Sequence, residues 1–255
     1  MASRCLLLFM LALSIQTARA DEWGYEGEIG PEHWATLDSE NLLCAEGRAQ
    51  SPVNLVETAS DSAQEIDRVL DEPVLDFRDR AHVMDLIDNG HTIQVTSDAS
   101  VSTRIDGELY ELVQFHFHGP SEHTLDGRHY PIEGHFVMAN EAGDLAVMGV
   151  LYEEGEHDPA FDPVFAGLPD GPGDERHLED LDLDIAELKP LPRRYFRYSG
   201  SLTTPPCSEG VKWVVLADPQ PLSAEQIETL DSHLHDNNRP VQPLFGRHIV
   251  FIRAQ

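Results

Sequence analysis

Gln114-Phe115-His116-Phe117-His118, followed by Ile132-Glu133-Gly134-His135-Phe136-Val137 with His135 seventeen residues after His118, decides the reading of this chain. Alternation of histidine with phenylalanine has the period of a β-strand, so Gln114, His116 and His118 share one face and Phe115 and Phe117 the other. In the second segment Glu133, His135 and Val137 share a face in the same way. If the two strands pair through the Gly119 to Pro131 loop, a third imidazole meets the first two. Three neutral imidazoles would leave a tetrahedral zinc one open position, the pattern of a catalytic rather than a structural site. Gln114 and Glu133 each sit two residues from a histidine on the same face, where a hydrogen-bonding group would fix imidazole orientation.

HxH alone is weak in a chain with 13 histidines, and a second pair stands at His233 and His235. That pair ends a helical pattern, where positions i and i+2 point apart. His33, His82, His157, His177 and His248 read as surface or locally hydrogen-bonded residues.

Outward from the histidines the pattern stays short and β-rich. Val74 to Phe77, His91 to Thr96, Val101 to Ile105, Leu112 to His118, Gly134 to Met138, Leu145 to Tyr152 and Lys212 to Leu216 read as strands between Gly, Pro, Asn or Asp punctuation. Helical periodicity is convincing mainly in Ser223 to Leu234, where Ser223 can cap and Ala224, Ile227 and Leu230 share a face. The acidic stretch Glu153 to Glu187, with four prolines by Pro172, predicts surface loops and short turns. With no repeat, linker or composition shift, the expectation is a single mainly-β (α+β) domain. It has a large central, mostly antiparallel twisted sheet and short peripheral helices.

At the start, Arg4, the eleven-residue apolar run Cys5 to Ile15 and Ala18-Arg19-Ala20 read as a secretory signal peptide over residues 1–20, leaving 21–255 as the catalytic domain. Eleven apolar residues are too few to span a bilayer, and no later stretch predicts membrane insertion. The protein is therefore expected to be exported, to a periplasm or the extracellular space. Without Arg4 and Arg19, 15 basic residues face 46 acidic ones, a net charge of −31. Such a surface repels phosphate backbones, which argues against nucleic-acid partners. It suits a saline, halophilic setting as well as a merely soluble acidic one. Two cysteines remain after removal of Cys5, Cys44 and Cys207, and in an oxidising compartment one disulfide is the simple reading. Neither has the CxxC partner that would mark a zinc site.

Several further motifs stand in order along the chain: Trp23-Gly24-Tyr25, Gly30 to Trp34, Gln50 to Val53, Asn89-Gly90-His91, Ser121 to Thr124, Gly200 to Cys207 and Asn238-Arg239-Pro240. Together with Gln114 to His118 they resemble the α-class carbonic anhydrases over about residues 23 to 253. The resemblance implies zinc (Zn2+) held by His116, His118 and His135, with a bound water acidified to near neutral pH. Gln114, Glu133 and the backbone carbonyl of Asn237 would orient the three ligands.

Thr203 would hydrogen-bond the attacking hydroxide and pass its own proton toward Glu122. Carbon dioxide would lie against Val137, Val147, Leu202, Val211 and Trp213, and bicarbonate would meet Thr204 and the Thr203 backbone N–H. His91 would shuttle protons, with Tyr25, Asn89 and Gln94 ordering the intervening water. The Cys44–Cys207 pair would brace the loop carrying Thr203 and Thr204. The partner is then a small molecule, carbon dioxide or bicarbonate, and the sequence leaves a homodimer open.

The chain departs from many animal members at Gly119-Pro120 and at Met138, and Gly134 is expected to cost stability inside a strand. A non-catalytic binding module of the same fold is the rival from another class, and small-ester hydrolysis a plausible side activity. The intact set of His116, His118, His135, Glu122, Thr203 and His91 argues against the first.

Overall fold

The computed structural model describes residues 23–57, 81–97, 101–177, 182–183 and 194–253. The expected leader and the expected strand Val74 to Phe77 lie outside these residues. Fourteen short strands carry the described chain: β1 (Asn54–Leu55), β2 (Ala81–Asp88), β3 (Ile93–Ser97), β4 (Ser102–Ile105), β5 (Glu108–His118), β6 (Thr124–Leu125) and β7 (Ile132–Ala139). After these come β8 (Leu145–Glu154), β9 (Glu175–His177), β10 (Asp182–Leu183), β11 (Arg194–Ser201), β12 (Glu209–Leu216), β13 (Gln220–Leu222) and β14 (Val250–Arg253).

Twelve of them form one sheet along the path β10-β2-β3-β5-β7-β8-β12-β11-β14, with β4 on β5, β9 on β2 and β13 on β8. Pairing in this sheet is antiparallel except where β8 meets β12 and β13, so the mostly antiparallel expectation holds.

The two central strands meet in a register that sets His116 directly opposite His135 and Phe115 opposite Phe136. One face of β5, β7 and β8 carries Phe115, Phe117, Phe136, Met138, Met148, Val150 and Tyr152, all fully buried against Leu230 and Leu234 of the helix Ala224–Leu234. Each large apolar side chain buried there contributes on the order of 1.5–3 kcal/mol. A one-residue slip would turn the imidazoles into that core and the rings out of it, so the apolar face fixes where the histidines point.

Ser223 caps the helix as expected, its hydroxyl accepting from the Gln226 N–H while Gln226 Oε1 accepts from the Ser223 N–H. Gly134 lies opposite Phe117, and a Cβ there would stand 3.2 Å from the Tyr152 ring. Its expected cost to the strand is therefore offset by the close approach of the Tyr152 ring that it allows.

Sequence pattern left eight of the described strands unread: β1, β2, β6, β9, β10, β11, β13 and β14. The acidic stretch is also more ordered than expected in its described part. Asp158 accepts from the Ala160 N–H to start a turn of 3-10 helix at Pro159–Phe161, which leads into the helix Asp162–Ala166 and buries Phe161. Within the same stretch Glu175–His177 pairs with β2 and Asp182–Leu183 extends the sheet edge. His157 and His177 pair with Asp162 and Asp85 at the surface, as the local reading held.

Candidate metal centre

Because β5 and β7 pair in register, His116, His118 and His135 converge, each offering one ring nitrogen within 4.8 Å of the others. Their ring centroids are 4.5–5.3 Å apart. The opposite ring nitrogen of each is engaged. His116 Nδ1 is 2.8 Å from Gln114 Oε1, His118 Nδ1 is 2.7 Å from the Asn237 carbonyl oxygen, and His135 Nε2 is 2.9 Å from Glu133 Oε1.

Carbonyl and carboxylate oxygens only accept, so each engaged nitrogen carries the hydrogen and the other is left as a lone pair. Three lone pairs then point into one space, at His116 Nε2, His118 Nε2 and His135 Nδ1. His118 Nε2 is buried with no hydrogen-bond partner. That arrangement is costly for protein alone and is what a cation of zinc's ligand preference requires.

Electrostatics favour the neutral ring at two of the three positions, and at His135 they favour charge. Burial, followed by the neighbouring imidazoles, holds His116 well below the ordinary histidine range, and burial likewise lowers His118. Burial also opposes charge on His135, but the Glu133 carboxylate outweighs it and the net shift is upward. Glu133 takes four donors: the Glu122 and His123 backbone N–H groups at Oε2, and His123 Nδ1 and His135 Nε2 at Oε1. Burial alone would raise its pKa. The two histidines reverse this and hold it well below the usual carboxylate range.

Glu122 is fully buried beside the three histidines. Its Oε1 accepts from the Arg239 backbone N–H at 2.9 Å, while Oε2 lies 3.7 Å from His118 Nε2 and 3.8 Å from His135 Nδ1 with no hydrogen-bond partner. The expected bond from Thr203 Oγ1 to Glu122 is thus not made in this structure, although Thr203 is itself buried. Thr203 and Thr204 sit on the loop after β11. The Cys44–Cys207 disulfide tethers that loop, and the Cys207 N–H donates to the Thr204 carbonyl.

Val137, Val147, Val211 and Trp213 form one buried apolar cluster on the ligand face, with Leu202 packed against it. Trp213 reaches His135 at 4.9 Å between ring centroids and donates through Nε1 to the Ser201 carbonyl. His91 stacks on Trp23, 3.8 Å between centroids and 6° from parallel. Gln94 stands opposite His116 across β3 and β5, on the ligand face. The Tyr25 hydroxyl is held well above its ordinary pKa by burial and then by the charge of Glu122. Asn89 turns its side-chain oxygen back on its own turn, accepting from the His91 and Thr92 N–H groups.

Two buried residues that support the site were not singled out from the sequence. His123, fully buried, spans from Glu133 to the Tyr198 hydroxyl at 2.6 Å, and Tyr198 continues to Ser51 Oγ at 2.8 Å. Arg239 donates to Gln50 Oε1 and to the carbonyls of Ser51 and Cys44, and burial lowers its pKa to about 10. Both stand in the quoted motifs, but their partners lie in other parts of the chain, so no periodicity signals them.

The eukaryotic-type carbonic anhydrase family model matches residues 29–253. The carbonic anhydrase of Pectobacterium atrosepticum is 40% identical over 247 residues, 96% of each chain. That of Klebsiella pneumoniae is 41% identical over 248 residues, 94% of this chain and 96% of the other. The solved α-carbonic anhydrase of Thermovibrio ammonificans, in complex with the inhibitor sulfanilamide, matches with a TM-score of 0.77 at 41% identity, covering 90% of this chain and 98% of that one. With the histidine geometry and near full-length likeness in agreement, the chain belongs to the eukaryotic-type carbonic anhydrase family.

Proposed function

We propose that this enzyme of the carbonic anhydrase family hydrates carbon dioxide reversibly to bicarbonate and a proton at a zinc site made by His116, His118 and His135. The observation that carries this reading is the convergence of three imidazoles, each with an acceptor on the far side of its ring. When bound, zinc acidifies a water so that hydroxide is available near neutral pH.

Glu122 Oε2 has no donor in this structure, and the Thr203 hydroxyl, buried on the loop after β11, would have to turn to it to supply one. So turned, Thr203 would have only its lone pairs to offer a hydroxyl hydrogen on the metal side and would hold that oxygen oriented toward carbon dioxide. Val137, Val147, Val211, Leu202 and Trp213 give that apolar substrate an apolar wall. Thr204 and the Thr203 N–H receive bicarbonate. Each hydration leaves one proton behind. His91, whose imidazole can both accept and donate a proton, carries it to buffer through water ordered by Tyr25, Asn89 and Gln94.

The leader at residues 1–20, the disulfide and the acidic surface together support export to a periplasm or the extracellular space, in a saline setting. No described helix is long and apolar enough to cross a membrane.

Stopped-flow carbon dioxide hydration by the mature protein, at low and multimolar salt with zinc counted on the same sample, tests the proposal. Fast hydration that requires zinc is the expected result, and its persistence in multimolar salt is what the saline assignment predicts. Full zinc occupancy without hydration would replace catalysis with the binding-module reading. His116→Ala should abolish zinc binding and activity together, and unchanged zinc content in that variant would sink the ligand assignment. His91→Ala should slow turnover chiefly in weak buffer and recover with imidazole.

A further inference from the structure

The resemblance assigns Asn237 one task, through its backbone carbonyl on His118. Its side chain is fully committed elsewhere. Asn237 is 1% exposed. Its Nδ2 donates to the His91 carbonyl at 2.8 Å and to the Phe117 carbonyl at 3.0 Å, while Oδ1 accepts from the Gly119 N–H at 2.9 Å. One buried amide therefore joins the residues on either side of His118 to the backbone of His91. Two donors and one acceptor are needed there, and asparagine supplies them at the required length.

The turn bearing His91, Asp88 to Thr92, is braced internally. Asp88 Oδ1 accepts from the Gly90 N–H, Asn89 Oδ1 accepts from the His91 and Thr92 N–H groups, and Gly90 takes φ 83°. Such a turn moves as a unit, and its distance from the ligand strand is set by what bridges the two. Thr92 Oγ1, which donates to the Phe117 carbonyl at 2.6 Å, forms one bridge, and Asn237 forms the other at His91 itself.

We infer that the Asn237 side chain is a positioning residue for proton export, locking the His91 turn to the strand that carries His116 and His118. The inference rests on the reading of His91 as the shuttle. Proton transfer through ordered water is sensitive to placement, and a displacement of about 1 Å costs on the order of 10- to 100-fold in such steps.

The test is a double-mutant cycle in weak buffer on zinc-loaded wild type, His91→Ala, Asn237→Ala and the double variant. Asn237→Ala should lower kcat about tenfold, recover with imidazole, and lower kcat/KM by a smaller factor. The double variant should be no slower than His91→Ala within about twofold.

A second reading uses metal-free protein. The His91 ring protons, shifted by the Trp23 ring on which they stack, should move toward free-histidine positions in Asn237→Ala. If Asn237→Ala fails to fold, Asn237→Asp keeps the acceptor for Gly119 and loses the donor to His91, and the same outcomes apply. Additive losses in the double variant, or unmoved His91 resonances, would overturn the inference while leaving the shuttle intact. If His91→Ala alone leaves weak-buffer kcat unchanged, the shuttle reading fails first and takes this inference with it.

Discussion

Glu133→Gln changes one atom of the site and reverses the logic of His135. The carboxylate serves two immobile backbone donors at Oε2 and two imidazole donors at Oε1. Glutamine has a single acceptor oxygen. Turning its NH2 toward the Glu122 and His123 backbone N–H groups would set donors against donors that cannot adapt, at about 1–3 kcal/mol for each buried group left unpaired. Imidazoles can adapt by moving a proton, so the NH2 turns toward His123 and His135. His135 Nε2 must then accept, its hydrogen moves to Nδ1, and that is the nitrogen facing His116 and His118. A zinc ion bound there as proposed would have to displace this proton and restore the donor clash.

Loss of such a ligand-orienting partner costs about 10- to 100-fold in metal affinity, which is about 1.4–2.7 kcal/mol. Competition of metal-free protein against a fluorescent zinc chelator measures this directly, with circular dichroism to show that the fold is kept. An affinity within about twofold of wild type in a folded variant would refute the tautomer argument.

Other expectations follow from separate parts of the fold. Replacing Cys44 and Cys207 together by alanine opens a covalent link across a sequence separation of 163. The chain-entropy account puts the loss at up to about 5 kcal/mol, read as a lower urea midpoint, and a loss under about 1 kcal/mol would contradict it. Gly200→Ala should destabilise by about 1–3 kcal/mol, since overpacking of this kind forces neighbours aside. The new Cβ would fall 2.1 Å from Ser51 Oγ and 2.8 Å from the rings of Trp213 and Tyr198. A thermal midpoint equal to wild type would show that the β11–β12 packing yields more easily than the distances imply.

Glu209 accepts from the Ala49 N–H and from Gln50 Nε2, and although burial pushes its pKa up, these bonds bring it below the usual value. A carboxyl with a depressed folded pKa contributes stability that is present above its unfolded pKa and lost as pH falls through the folded one. Glu209→Gln should therefore lower the urea midpoint near pH 6 and converge on wild type toward pH 3 (about the carboxylate range). A gap that is constant with pH would assign the loss to packing.

What the sequence disclosed, and what it hid, follows from the range of each interaction. The histidine strands were legible because residues two apart on a strand share a face, and that parity also delivered Gln114 and Glu133. β11, Arg194–Ser201, escaped notice because Arg194 and Arg197 break its apolar alternation, and both find acidic partners across the fold, Asp218 and Asp106. β14 is four residues at the chain end, too short for a pattern. His123 and Arg239 act through partners 10 to 195 residues away, a distance at which only tertiary structure reveals the pairing. Glu122 and Thr203 were visible through the family resemblance alone, since nothing in their spacing separates them from ordinary loop residues.

The same parity explains why His118 needs help from a distant segment. Positions two apart on the ligand face of β5 run Gln114, His116, His118 and then Pro120, beyond the strand end. His116 takes Gln114 as its acceptor, and on β7 His135 takes Glu133. His118 has no such neighbour left, because one side is His116 and the other is a proline without a polar side chain. Its acceptor must therefore be imported, and it arrives from 119 residues away as the carbonyl of Asn237.

A backbone oxygen brought in from a loop is only as well placed as the loop itself. The Asn237 side chain, pinned to Gly119, Phe117 and His91, is what fixes it. Substitution at this position should accordingly disturb two processes that substitution of Gln114 or Glu133 leaves separate, the orientation of one ligand and the placement of His91. The ratio of zinc-affinity loss to weak-buffer kcat loss should then be smaller for Asn237→Ala than for Glu133→Gln, and equal ratios would place both residues in a single orienting role.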